Sequence, residues 1–242
     1  MTTEAEDTPN NGKKGKRIED LVNWGRTQMM EIRVFNPNDD PEIRSDIQGL
    51  VNDGKYLGKY HFIGRDRRIN KGIYLGAHPR EAILVLNNAE LIVKAYEEVK
   101  KEISSKIGAY NYRGLIPSAI FNTVKSKLRY DEIATKQFVE GFVTEDKKEP
   151  VIPLDQFINE GYGVCRHMGL FCAVLFEKFI DEGILVGDVS VDRNSIGIMA
   201  HAWCRYKSLS KEAVILDVAQ KYIGPASAHN ANWFYERPED RR

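Results

Sequence analysis

No run of about 18 apolar residues occurs in this chain of 242 residues. The longest apolar stretches are broken by Glu, Lys or Gly within a few positions, so the pattern gives no membrane-spanning helix. An excess of charge is also missing. Lys and Arg number 35, and so do Asp and Glu, which removes any global attraction to nucleic acid or anionic lipid. The local cluster Arg65-Asp66-Arg67-Arg68 reads as a solvated turn. Residues 1–17 hold no apolar segment of the kind a secretory signal needs, which leaves open only export without a standard signal peptide. Cysteine is scarce and odd in number. Cys165, Cys172 and Cys204 argue against a disulfide framework and for a reducing, cytoplasmic setting with free thiols. There is no internal repeat.

What the chain does contain, 42% apolar and 29% charged residues, is the composition of a folded domain. Residues 1–17 have too few apolar side chains to offset the entropy of ordering them and read as a disordered leader. Residues 18–86 read as an accessory N-terminal segment. It opens with a short helical pattern at Ile18, Leu21, Val22 and Met29, then carries β-favouring runs at 60–63, 72–75 and 82–86. Residues 87–242 read as the catalytic domain. The spacing predicts an amphipathic helix after Asn87-Asn88 to about residue 106, and a second from Pro117 toward Tyr130.

The strongest helical stripe is Val164, Met168, Phe171, Val174, Leu175 and Phe179, over residues 164–180. The period then changes to two. Strands are expected over 186–191, 196–206 and 214–219, with polar turns at 192–195 and 207–211. A helix followed by an antiparallel meander indicates an α+β fold.

Cys165 falls at the start of the best helix, with Gly161 and Gly163 before it. A helix N-terminus and a histidine partner together lower a thiol pKa by several units and make a strong nucleophile. Cys172 and Cys204, embedded in apolar sequence, read as packing. Two histidines compete as the base. His167, two residues on, is turned about 200° around the helix and cannot reach the sulfur, so it reads as a structural hydrogen-bonder or cleft wall. His201 heads a strand, and a hairpin with a three-residue loop at Ser208-Leu209-Ser210 sets it directly opposite Asp217. Asp217, an acid between Leu216 and Val218, needs a partner to be buried. An imidazole is such a partner, and the carboxylate would fix its tautomer.

The segments Gly163-Val164-Cys165-Arg166-His167, His201-Ala202-Trp203 and Leu216-Asp217 resemble the Cys, His-Ala-Trp and Asp signature of the transglutaminase-like superfamily, over roughly residues 90–222. Together with Ile158-Asn159-Glu160-Gly161 and the helix over 120–130, they particularly resemble the peptidase-like domain of plant ethylene-response and disease-resistance kinases. The resemblance implies a transglutaminase-like cysteine-protease fold, with the nucleophile helix packed on an antiparallel sheet. It implies a Cys165–His201–Asp217 triad and no cofactor. True transglutaminases are expected to place an oxyanion-stabilising tryptophan upstream of the nucleophile, and here no Trp lies between Trp24 and Cys165. Asn159, six positions before Cys165, resembles the glutamine donor of papain-like enzymes in its placing, beside the Cys165 backbone N–H. Trp203 shares the strand face of His201 and reads equally as cleft lining or core.

The expected activity is attack by Cys165 on a peptide, isopeptide or glutamine amide, or on a thioester, of a protein or peptide substrate. Protease, deamidase and transglutaminase outcomes differ only in what resolves the acyl-enzyme. A catalytically silent domain that binds a protein partner is the alternative. A metal site at Cys165, His167 and His201 is disfavoured, because the first two occupy opposed helix faces. His229, Trp233 and Tyr235 either pack on the core or cover the cleft.

Overall fold

The computed structural model describes residues 22–24, 60–75, 81–106, 112–144, 150–209, 212–228 and 233–241. The 1–17 leader, His229 and most of the helix expected from Ile18 lie outside them. Val22–Asn23, inside that expected helix, is instead a strand, β1. It pairs antiparallel with the edge of the main sheet, which satisfies its backbone where a helix there would leave that edge open.

The fold is α+β. A five-stranded antiparallel sheet has the order β1-β8-β9-β10-β11, with β8 at Gly187–Ile196, β9 at Met199–Ser208, β10 at Ala213–Asp217 and β11 at Tyr222–Pro225. A four-stranded mixed sheet is formed by β2 (His61–Phe62), β3 (Gly72–Leu75), β4 (Ala82–Val85) and β6 (Val151–Pro153). A small parallel pair joins β5 (Arg129–Tyr130) to β7 (Tyr162–Gly163). The helices are α1 (Glu90–Ser104), α2 (Ile116–Lys127), α3 (Glu132–Glu140), α4 (Leu154–Glu160) and α5 (Cys165–Asp181).

The α5 helix is the centre of the molecule. Leu170, Phe171, Cys172, Ala173, Val174, Leu175 and Phe176 are all fully buried, so this helix is apolar nearly all round, as a helix enclosed by other elements must be. One side meets α1 and α2 through residues such as Tyr96, whose ring lies 4.6 Å from Phe179. The other lies on the sheet, where Phe176 stacks on Tyr206 at 4.8 Å. Approach is closest at Gly169. A Cβ there would come within 3.2 Å of the Trp203 backbone, so any larger residue would push the helix off β9.

Several expectations need correction. The helix after Asn87-Asn88 exists, but it starts at Glu90 behind Ala89, with no side-chain cap. The second helix ends at Lys127, and Tyr130 belongs to a strand. The turn expected at 192–195 is the interior of β8, and the reversal occurs at Gly197-Ile198. Polar Asp192 and Asn194 are completely buried, because the C-terminal segment supplies their partners. Arg237 donates to both Asp192 oxygens, and Trp233 donates to Asn194 Oδ1.

The stretch read as an accessory segment also contributes side chains to the main core. Ile63, Ile69, Tyr74, Ile83 and Val85 belong to the same apolar core as α5, and β4 pairs with β6 from beyond residue 150. The buried Glu177 of α5 accepts the backbone N–H groups of Ile69 and Asn70 at 2.9 and 2.6 Å. The 65–68 turn, read as solvated, is tied down by Arg68 to Asp181 and by Asp66 to Arg237.

Candidate active site

Cys165 is the first residue of α5 and half-buried, whereas Cys172 and Cys204 are completely enclosed. What precedes Cys165 is built for a sharp start. His167 Nδ1 accepts the Val164 N–H at 3.1 Å, so the histidine caps the helix it sits in. Its ring lies 3.9 Å from that of Phe157. Gly163 makes room for it, since a Cβ there would fall 2.9 Å from the His167 Cβ. With Nδ1 accepting, the neutral ring carries its proton on Nε2, which faces Glu81 Oε1 at 3.1 Å. Arg166 donates to the same oxygen from Nε at 2.6 Å. Burial pushes the Glu81 carboxyl up, but His167 and Arg166 more than reverse this and hold it at about 2. A buried ion pair from β4's leading edge thus locks the first turn of α5.

The second half of the site lies on the main sheet. His201 Nε2 and Asp217 Oδ2 are 2.5 Å apart, and the other carboxylate oxygen accepts the Gln220 N–H at 3.0 Å. The register differs from the expected one. Leu216 pairs with Cys204 rather than with Ala202, because β9 runs to Ser208 and β10 begins only at Ala213. A slip of two positions keeps every side chain on its face. Asp217 therefore continues the ladder beside Trp203, and His201 is its diagonal neighbour, within reach of long side chains.

With Nε2 committed to Asp217, Nδ1 is the nitrogen available to the sulfur. Cys165 hydrogen-bonds His201 and receives the Ala202 N–H. Burial pushes the thiol up, yet the His201 hydrogen bond and charge, the Arg166 charge and the Ala202 N–H outweigh it, so the thiol is held below its ordinary range. His201 moves the opposite way. Burial lowers it, but Asp217 and Cys165 raise it to about 9. Such opposed shifts favour a thiolate beside an imidazolium. Cys172 and Cys204 are pushed up by burial.

The structure thus brings Cys165, His201 and Asp217 together, with the Trp203 ring 6.0 Å from that of His201. Asn159 is exposed on α4, with β7 between it and Cys165. The six-residue spacing crosses a helix end and a strand instead of one compact turn. His167 and Trp203 are wholly enclosed and line no cleft. His167 is engaged with Val164 and Glu81, and Trp203 is packed against Trp24 and Tyr235.

Sequence reasoning missed Glu81, although the signal that exposed Asp217 was present there too: a lone acid adjoining the apolar run Ala82-Ile83-Leu84-Val85. It also left Trp233 and Tyr235 undecided. The ring of Trp233 lies 5.1 Å from that of His201, and the Tyr235 hydroxyl donates to Asp217 Oδ2 at 2.8 Å. No family model, curated protein or solved structure matches the chain.

Proposed function

We propose that this protein is a thiol-dependent hydrolase or acyltransferase of the transglutaminase-like kind, acting on an amide of a protein or peptide substrate. The observation that carries the reading is the bonded sequence from the Cys165 thiol at a helix start, through His201, to the Asp217 carboxylate. In the reaction, the Cys165 thiolate adds to the amide carbonyl carbon, and His201 delivers its proton to the departing nitrogen as the C–N bond breaks. A thioester remains on Cys165. Neutral His201 then takes a proton from water, or from an amine, as that nucleophile attacks the thioester, and the thiol is released. Water yields an acid and an amine yields a new amide. Asp217 keeps the imidazole oriented and stabilises its charged form. The Cys165 backbone N–H at the open helix end is an available donor to the carbonyl oxygen. The free thiols suit a reducing, cytoplasmic setting.

The test is alkylation of the native protein by a mild thiol reagent between about pH 5 and 9, followed by intact mass. A depressed thiol is reactive above its folded pKa and loses reactivity only as pH falls through that value. Cys165 is therefore expected to react at a lower pH than an ordinary thiol, while Cys172 and Cys204 stay unmodified. His201→Ala is expected to move the Cys165 profile up to that of an ordinary thiol. An ordinary profile in wild type, unchanged by His201→Ala, would sink the reading.

A further inference from the structure

The carboxylate of Asp217 is held from three directions. Oδ1 accepts the Gln220 N–H, while Oδ2 accepts both His201 Nε2 and the hydroxyl of Tyr235. Tyr235 does not belong to the sheet. It arrives on the C-terminal segment, which crosses the face of β8, β9 and β10 turned away from α5. That segment is pinned on both sides of it. Before Tyr235, Trp233 donates to Asn194 Oδ1, and Asn194 Nδ2 donates to the Phe234 carbonyl at 2.7 Å. After it, Arg237 is buried against Asp192, Ser190 and Asp66, and Arg205 donates to Asp240 at 2.7 Å. The Tyr235 ring is fixed by Tyr222, stacked at 5.0 Å, and by Trp203, edge-on at 5.1 Å.

We propose that Tyr235 is a positioning residue of the Cys165–His201–Asp217 site, its hydroxyl fixing the Asp217 carboxylate and tempering the hold of that carboxylate on the His201 proton. The proposal rests on the acyl-transfer reading for its catalytic consequence, but its chemistry stands on the hydrogen bonds alone. Packing does not require the oxygen, because phenylalanine would fill the same slot between Tyr222 and Trp203. A buried hydroxyl is costly unless bonded, and here its partner is the one oxygen that also binds the catalytic imidazole. A phenol donating to that oxygen draws off part of its negative charge. Without the hydroxyl, Asp217 would bind the imidazolium more tightly and His201 would become a weaker acid toward the leaving nitrogen. The other titratable or charged groups around the Cys165–His201 pair are Arg166 on α5, Tyr74 on β3, Arg193 on β8 and Tyr130 on β5. Tyr235→Phe alters none of them.

The experiment is an NMR titration of His201 in Cys165→Ala and in Cys165→Ala/Tyr235→Phe, with the Tm of each recorded. The expected result is an unchanged fold and a His201 titration moved upward by about half a unit to one unit in the second protein. In the protein with Cys165 intact, Tyr235→Phe is expected to lower kcat with KM unchanged. Superimposable titrations would overturn the proposal. If Tyr235→Phe destabilises the fold, 3-fluorotyrosine at position 235, a stronger donor, is expected to move His201 downward, and no movement is equally adverse. A His201 shift in a protein that turns over no amide would uphold the role of Tyr235 while removing the acyl-transfer reading, so the two fail separately.

Discussion

The two faces of the five-stranded sheet obey opposite rules. Toward α5 the strands present Val191, Ala202, Cys204, Tyr206 and Leu216, all buried and all part of the apolar core. The other face sets Ser190, Asp192, Asn194, His201, Arg205 and Asp217, equally buried but polar or charged, around a smaller apolar cluster of Trp203, Ala213 and Ile215. The first face is held by dispersion and the hydrophobic effect, which accept many arrangements of similar volume. The second adds directional bonds, several of them to residues 233–241, so that removing a partner strands a buried polar group. The candidate triad thus lies where positions are fixed by bonding, while the helix face supplies the rigidity that carries Cys165 to it.

Six variants would break or sharpen that contrast. The largest effect belongs to the site. Cys165→Ala is expected to abolish amide turnover, and His201→Ala to lower kcat by roughly 10³–10⁵-fold; an unaltered rate in either would detach the polar face from function. Next comes the anchor of the polar face. Arg237→Ala strands the buried Asp192 and is expected to cost on the order of 3–5 kcal/mol in urea unfolding. The double replacement Arg237→Met with Asp192→Leu should regain most of it, and failure to do so would mean that packing rather than charge is what Arg237 supplies.

Glu81 gives a pH-dependent version of the same test. Its folded pKa of about 2 lies below the ordinary 4.5, so its contribution is fully present above pH 4.5 and is lost as pH falls through about 2. Glu81→Gln is expected to flatten the stability profile over that window, and at pH 7 to cost on the order of 3 kcal/mol. A profile as steep as that of wild type would place the acid sensitivity elsewhere. The smallest effect is expected on the apolar face. Cys172→Ala should cost about 1 kcal/mol and leave the Cys165 alkylation profile where it was.

These two faces were unequally legible. The α5 stripe announced itself by its period and ended within a residue of its expected limits, because an amphipathic pattern is a local property. The polar face announced itself wrongly. Asp192, Arg193, Asn194 and Ser195 read as a turn, since a run of polar residues is ordinarily solvated, and the arginine that neutralises Asp192 stands at position 237. The hairpin register was misjudged by two positions, as a connection length is hard to read from polar sequence. The face assignment survived because side-chain direction in a strand depends only on parity. Spacing along the chain likewise did not reveal the helix end and the strand between Asn159 and Cys165.

The sequence by itself determined the α+β composition, the helix that begins at Cys165, and the choice of His201 over His167, because each follows from local periodicity and the angular geometry of a helix. Only the tertiary structure decided that Ile63, Ile69, Tyr74, Ile83 and Val85 join the main core, that Glu81 locks the first turn of α5, and that Tyr235 completes the surroundings of Asp217. Those depend on contacts between residues 85 and 18 positions apart, and a buried charge or hydroxyl is made tolerable only by the partner that folding brings to it.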